Sequence, residues 1–579
     1  MKKESIITTP SKRKEPLQQK YILPLILLVV IFISICIGFS QLSTPDVLPL
    51  NADKAKFSSE RAVRYLGEIA NKPRPLGSVE HDRVRDYIVH TLNNIGVSPD
   101  IQADEGVFSS WGDPFEGKVE NIVARIEGKN SSQAILITSH YDSVQNSPGA
   151  ADAGSGVAAL LETVRALSNS PALMNDIVIL FSDGEESGLL GAQAFVQYHP
   201  WAKDVGIVLN FEARGNKGPS VLFETSEGNG KVVAEFVSGS SHPIAHSLLN
   251  DLYKNTPHDT DLSIYKSAGM NGLNFAFFEG LFSYHTSEDT IENLSLNSLQ
   301  HHGEYMIDLV RHFGNISIVQ KQDGNRLFFN VIGKHVVSYS EQYVLPIMII
   351  CIVGYIFSCI NGFRLKKLSV TGVGLGFILF MLTTSLAYYT GSGMLKGLEI
   401  ITGWDRWKMS SNPKISTPML ISIIMFVFAL IIPIYQLALK KINEYNLTLG
   451  AFIGWLVLSI YTSVYYEYSS YIFVWPFVFG LIVFNLYIHL KKNHPLMANI
   501  LSLGMIILPL IFTVPVIYLI YIFFTLEYSG ILIAAISLLI AYMILALNML
   551  VARSFFIIPS LLLLLGIINL ILGVLELVK

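Results

Sequence analysis

From about residue 341 to its end the chain is a succession of long apolar runs with brief polar interruptions. Eight runs lie near 343–361, 369–390, 418–438, 447–465, 470–489, 498–525, 530–551 and 555–576. Most approach the roughly 20 residues that a helix needs to cross a bilayer. In hydrocarbon every backbone polar group must be satisfied within the chain, so runs of this kind can only be helices. Residues 341–579 are therefore expected to form an all-α polytopic membrane domain of about eight spans. The run 498–525 is overlong and holds Pro509 and Pro515, so a kink or break is expected there.

A further apolar run, Tyr21–Ser40, follows Lys2, Lys3, Lys12, Arg13, Lys14 and Lys20. It is longer than a signal-peptide core and lacks a sharp small-x-small cleavage site, so it reads as an uncleaved anchor. This gives a cytoplasmic tail over 1–20 and an anchor over 21–42. Positive charge follows every even-numbered span: Arg364, Lys366 and Lys367, then Lys440 and Lys441, then Lys491 and Lys492, then Arg553. With these loops inside, the segment between the anchor and the second span lies outside the cytoplasm. The loop 391–417 fits this scheme least, because it places Lys396, Arg406, Lys408 and Lys414 outside. It also carries Trp404 and Trp407, and is expected to lie on the membrane or against the globular part. Glu467, His489 and Glu527 fall at span ends, where snorkelling is the plain expectation. No chain of buried charge marks a transport path.

Residues 43–340 read as a globular domain. The three cysteines, Cys36, Cys351 and Cys359, all lie in or beside apolar runs. The domain thus has neither a disulfide framework nor a cysteine-based metal site. A net charge of −4 argues against a nucleic-acid partner. Apolar spacing of three to four predicts helices over Ser58–Ala70 and Val79–Ile95, with a turn at Pro73–Gly77 between them. Strands are predicted at Asn121–Ile126, Ala134–Ser139, Ile177–Phe181, Val205–Phe211 and Gly272–Phe278. Helices are predicted at Gly156–Leu167, Leu189–Tyr198 and Leu296–His312. Such alternation argues an α/β fold, a largely parallel sheet sandwiched by helices.

Polar residues collect where those strands end. His140 (SHYDS), Asp183–Glu186 (SDGEESG) and Glu212 (LNFEARG) each come just after a β run, and His285 (SYHTSEDT) follows one by several residues. The carboxyl ends of strands line the crevice of an open α/β sheet. With Asp152 (GAADAGSG), this gives two imidazoles and three carboxylates, a donor set suited to two divalent ions sharing one carboxylate. Asp152, among small residues, is the choice for the shared carboxylate, although it can also cap the next helix. Glu212 suits the ion at His140, unless it pairs with Arg214. His285 suits the ion at Glu186. Glu185 is left free as a general base. Asp142, two residues from His140, can hydrogen-bond its second nitrogen, or simply turn the loop. Tyr284 is placed to meet substrate, and Asp289 and Asn293 to stabilise their loop. Asp259 and Asp261 in NTPHDTDLSIY are expected in a substrate wall. The remaining histidines (His81, His90, His199, His242, His246, His258, His301, His302, His312) read as surface or packing residues.

The stretches PRPLGSVEHDRVRDYI, SHYDS, GAADAGSGVAAL, SDGEESGLLGA, NFEARG and YHTSEDTIENL, in this order, resemble the M28 family of zinc peptidases. The resemblance covers most of 60–315. It implies a mixed-sheet, zinc aminopeptidase-like α/β fold with two Zn2+ per chain, and aminopeptidase action on peptide N-termini. It also implies that His140, Asp152 and Glu212 bind one ion and Asp152, Glu186 and His285 the other. Glu185 would be the base, and Asp142 would orient His140. Glu212 stands where many soluble members carry Asp. One span before the domain and many after it are similar to a multispanning subgroup of the family. Peptides and the lipid bilayer are the partners this implies, at the plasma membrane with the domain extracytoplasmic, or lumenal in a eukaryote. Oligomeric state is left open. Three other readings stand beside it: a single-zinc glutaminyl cyclase, a non-enzymatic receptor or scaffold on the same fold, and a transporter with an accessory domain.

Overall fold

The computed structural model describes residues 17–108, 115–318, 324–551 and 557–578. The positive residues expected in the tail at 2–14 lie outside these, as does Arg553. The globular part opens with helices α2 (Ser59–Ile69) and α3 (Val79–Ile95), after the N-terminal helix α1 (Leu17–Ser40). Side-chain oxygens of Ser58 and Ser78 cap α2 and α3, accepting from the N–H groups of Arg61 and His81. Gly96, at φ 93°, ends α3 in the left-handed conformation that glycine adopts without penalty.

Seven strands follow: β1 (Pro99–Phe108), β2 (Phe115–Ile126), β3 (Ala134–His140), β4 (Ile177–Ser182), β5 (Val205–Ala213), β6 (Val221–Thr225) and β7 (Gly272–Phe277). Their order in the sheet is β1-β2-β4-β3-β5-β7-β6. The four central strands β4, β3, β5 and β7 are parallel. The outer strands β1, β2 and β6 pair antiparallel, so the sheet is mixed. The predicted strands are the four parallel ones and β2; β1 and β6 are additions by the structure.

The side chains of β3 are buried along its whole length, and they alternate between two cores. Ile135 and Ile137 pack with α2, α3, α4 (Gly154–Ser168) and α9 (Leu296–Gly314). Ala134 and Leu136 pack on the other face with α5 (Leu190–Tyr198) and α8 (Asp261–Ser267). This period of two is the strand geometry. The larger of these side chains, Ile135, Leu136 and Ile137, contribute roughly 1.5–3 kcal/mol each. Two short helices, α6 (Gly230–Gly239) and α7 (Leu248–Lys254), complete this part.

The hairpin β8 (Arg326–Ile332) and β9 (His335–Ser340) joins the sheet domain to the apolar helices. Phe329 of β8 stacks on Tyr471 with ring centroids 4.4 Å apart. The helices are α10 (Val344–Arg364), α11 (Val370–Thr402), α12 (Arg406–Ser411), α13 (Pro413–Leu439), α14 (Glu444–Tyr465), α15 (Tyr471–Asn493), α16 (Pro495–Phe524), α17 (Ser529–Tyr542), α18 (Ile544–Val551) and α19 (Ile557–Val578). All eight expected C-terminal runs fall on helices. A 3-10 turn over Thr525–Tyr528, which carries Glu527, joins α16 directly to α17 with no non-helical residue between them. Hence seven stretches among the described residues are long and apolar enough to cross a membrane, one of them the 48-residue Pro495–Tyr542. The end of α1 adds the shorter apolar stretch Ile26–Ser40. These helices make the chain a multi-pass membrane protein.

The loop expected at 391–417 is instead mostly helical. Helix α11 continues to Thr402 and stops at Gly403 (φ 68°), and Arg406 of α12 pairs with Glu399 at 3.1 Å. The sheet domain and the helices share a core in which Phe223 and Phe278 meet Met409, Ile415 and Phe523.

Candidate metal centre

Four parallel strands end at one edge of the sheet, and the polar residues gather there. His140 is the last residue of β3, and Glu212 is the last but one of β5. Asp183–Glu186 lie in the loop after β4, and His285 lies beyond β7. Asp152 precedes α4, whose first turn is pressed onto the end of β3. A Cβ added to Gly156 would come within 2.2 Å of Ser139 Oγ and 3.1 Å of the Phe211 carbonyl oxygen. Only a residue without a side chain lets α4, and Asp152 before it, approach so closely.

Six donor atoms converge in two sets that share Asp152. Nε2 of His140 lies 3.3 Å from Oδ1 of Asp152 and 3.5 Å from Oε2 of Glu212. Nε2 of His285 lies 3.1 Å from Oδ2 of Asp152 and 3.0 Å from Oε2 of Glu186. Within each set the donor atoms fall inside 4.8 Å of one another. The Asp152 carboxylate thus turns one oxygen to each set. Glu186 Oε1 is buried without a hydrogen-bond partner. His285 holds a left-handed backbone (φ 58°), a strained state for a side chain of its size. Asn210 Nδ2 donates to Glu212 Oε1 at 3.1 Å. Arg214 does not pair with Glu212; its Nη2 lies 3.2 Å from His258 Nε2.

Surrounding groups hold these donors in place. Nδ1 of His140 lies 3.2 Å from Oδ1 of Asp142. The N–H groups of Glu185 and Glu186 donate to Oδ1 and Oδ2 of Asp142, each at 3.2 Å. Asp289, itself buried, accepts from the N–H groups of Ala151 (2.7 Å) and Asp152 (3.1 Å). Glu185 makes no side-chain hydrogen bond among the described residues and is half-buried. Tyr284 stacks on His285 at 3.8 Å. Asp261 is buried beneath the edge, accepting from Ser182 Oγ, so it is not an open substrate wall. Asp259 accepts from Ser263 Oγ at 2.8 Å.

The electrostatics call for cations. Burial pushes Glu186 up to about 7, helped by Asp152 and opposed by His285. Burial likewise raises Glu185 well above the usual carboxylate range. Burial would depress His285, yet its hydrogen bonds to Asp152 and Glu186 carry it to about 10. His140 is also raised despite burial, by the carboxylates of Glu185 and Glu212 and by its bonds to Asp142 and Asp152. Several carboxylates crowded in a buried site are costly unless positive charge is present. Two imidazole nitrogens and three carboxylates are hard and borderline donors of the kind zinc takes. The residues therefore fit a pair of zinc ions.

Two supports had escaped the sequence reading. Arg74, in the expected turn, is fully buried. Its Nε donates to the carbonyl of Tyr141 at 2.6 Å and its Nη2 to that of Gly149 at 3.0 Å, with Nη1 on Pro148. It clamps both segments that lead to Asp142 and Asp152. His81, expected at the surface or in plain packing, is buried with Nε2 at 2.7 Å from Asp183 Oδ1. Only His81 had a local signal, its place on the apolar side of α3.

Residues 121–310 match the sequence model described as Peptidase family M28, and the chain carries a peptidase domain of that family. A stretch of 312 residues is 31% identical to the endoplasmic reticulum metallopeptidase 1 of Mus musculus, covering 50% of this chain and 35% of that protein. Another, of 313 residues, is 34% identical to a vacuolar membrane protease of Yarrowia lipolytica, covering 49% of this chain and 31% of the relative. The matched part thus spans about a third of these curated relatives. Among solved structures, an aminopeptidase from Aneurinibacillus sp. strain AM-1 is similar at 14% identity and TM-score 0.39, covering 46% of this chain and 97% of that one.

Proposed function

We propose that this chain is a membrane-anchored di-zinc aminopeptidase. In this reading residues 43–340 form its extracytoplasmic peptidase domain, 21–42 its anchor and 341–579 its membrane domain. The observation that carries the reading is the pair of donor sets sharing Asp152, with the free carboxylate of Glu185 next to the ligand Glu186. His140, Asp152 and Glu212 would hold one zinc, and Asp152, Glu186 and His285 the other. Zinc ions there supply Lewis acidity toward a scissile carbonyl and lower the pKa of water. Glu185, raised by burial, takes a proton from the attacking water and returns it to the leaving nitrogen. Asp142 fixes the His140 ring, so that Nε2 stays turned toward Asp152 and Glu212. Arg74 and Asp289 keep the Asp152 segment in place without touching substrate. The positive loops after even-numbered spans support a domain facing away from the cytoplasm.

The test is zinc content and hydrolysis by detergent-solubilised protein, using aminoacyl and N-blocked peptides side by side. Two zinc per chain with cleavage of the free-amine peptide alone is expected. One zinc with cyclisation of N-terminal glutamine would favour the cyclase reading. Bound zinc without turnover would favour a receptor, and cleavage of the blocked peptide would make it an endopeptidase.

A further inference from the structure

A cavity of about 850 Å3 lies between α1, α13, α16, α17 and α19, and the segment Glu279–Leu281 of the peptidase domain completes its wall. Its volume is in the range of about 300–1,000 Å3 that takes one small ligand. The wall is graded. At the end nearest the peptidase domain, Ser416, Thr417 and Tyr521 form a collar of hydroxyls, with Tyr521 OH 2.7 Å from Ser416 Oγ and 3.2 Å from Thr417 Oγ1. Tyr518 OH donates to Glu279 Oε2 there at 2.6 Å, and Lys217 pairs with the same carboxylate at 3.3 Å. Beyond the collar the wall is aliphatic, with Leu420, Ile517, Leu539 and Ile540 on three helices, until Tyr435 and Gln436. An apolar cavity of this kind is a poor site for water. A molecule with one long apolar chain and a polar head matches the grading.

The collar is joined to the candidate metal centre. Glu279–Leu281 runs on through Tyr284 to His285. The guanidinium of Arg214 lies 5.6 Å from the ring of Tyr284 and 5.7 Å from that of Phe523 on α16, next in sequence to the cavity residue Ile522. A head group at the collar is therefore beside the wall of the reaction site. We propose that the cavity takes the apolar tail of an amphiphilic peptide substrate, a peptide with a free amino end and one long alkyl or acyl chain toward its other end. This rests on the peptidase reading and names its substrate class: peptides held in the membrane.

The experiment uses the full chain and two probes, a dialanine ethyl amide and a dialanine tetradecyl amide. Turnover is read for both, and native mass spectrometry follows retention of the N-acetylated tetradecyl compound. Wild-type protein is expected to favour the long amide at least tenfold in kcat/KM, through KM, and to retain one acetylated tetradecyl compound. Ile540→Trp, which narrows the aliphatic part of the cavity beyond the collar, should weaken both the preference and the retention while ethyl amide turnover stays unchanged. As a second handle that does not rely on this variant folding, the acetylated tetradecyl compound should inhibit cleavage of the long amide competitively in the wild type. Equal kcat/KM for the two amides, or a preference undiminished in Ile540→Trp, would overturn the proposal. So would a phospholipid that stays bound one per chain and is not displaced by the tetradecyl compound. If neither amide is cut, the peptidase reading fails, and retention of the acetylated compound still decides what the cavity binds.

Discussion

Asp142 holds His140 and the Glu185–Glu186 segment at once: one carboxylate faces Nδ1 of the imidazole at 3.2 Å and accepts both glutamate N–H groups. Ring orientation on β3 and loop position after β4 are therefore set by the same group. Asp142→Asn replaces one accepting oxygen with an amide NH2 that must face a donor. Zinc affinity at the His140 set should fall roughly 10–100-fold, the usual effect of losing such an outer partner. Competition with a fluorescent chelator measures it, and an unchanged affinity would remove Asp142 from this role.

Glu185 holds no other side chain in place, so its amide variant should leave the site assembled. Glu185→Gln is expected to keep its zinc and to lose about 10²–10⁴-fold in kcat, the range for a general base. Turnover near the wild-type level would assign the proton transfer to another group.

Arg74 is the buried cation of the site's support. Arg74→Met would leave the carbonyls of Tyr141, Pro148 and Gly149 without their donor. Hydrogen bonds to charged groups contribute about 1.5–3 kcal/mol each, and orphaned buried acceptors cost a similar amount. A destabilisation of about 3–5 kcal/mol should follow, read as a fall in Tm. A variant as stable as the wild type would mean that water replaces the guanidinium.

The seam between the peptidase domain and the helices carries a pH response at Asp251. Burial raises its carboxyl to about 6, against the opposing hydrogen bond from Ser469 Oγ at 2.6 Å. Below about pH 3 the group is protonated whether the chain is folded or not, and there is no penalty. As pH climbs toward 6 the unfolded chain ionises first, so stability declines and then levels off once the folded group ionises too. Two pH units correspond to about 3 kcal/mol at most. Asp251→Asn should raise Tm at pH 8 and do so far less at pH 4; an equal change at both would show that ionisation is not involved.

The sequence was most legible where one period persisted or where a residue type had a single use. The residues at the ends of β3, β4 and β5 were found because buried β runs ended in His and Glu, and the structure brings all five expected ligand residues to one sheet edge. Helix α3 fell on its expected bounds because Ser78 and Gly96 mark both ends. Strand β1 was missed because its alternation includes Asp100, Asp104 and Glu105, and strand β6 because five buried residues show no period. The extension of α11 to Thr402 was hidden by Gly391, Gly393 and Gly397. Gly391 is tolerated there because α17 packs close, with the Ser529 carbonyl oxygen 3.0 Å from where a Cβ would stand. Arg74 could not be read as a clamp, since its three acceptors lie about 70 residues away and only the fold brings them near.

The central claim is a pair of zinc ions on a shared Asp152. Its most direct test is an anomalous difference map, recorded at the zinc edge, from crystals of the Glu185→Gln protein. The account predicts two peaks about 3.5–4 Å apart, the spacing of co-catalytic pairs. One should lie against His140 and Glu212 and the other against Glu186 and His285, with Asp152 between them. A single peak, or two peaks that do not share Asp152, would contradict it.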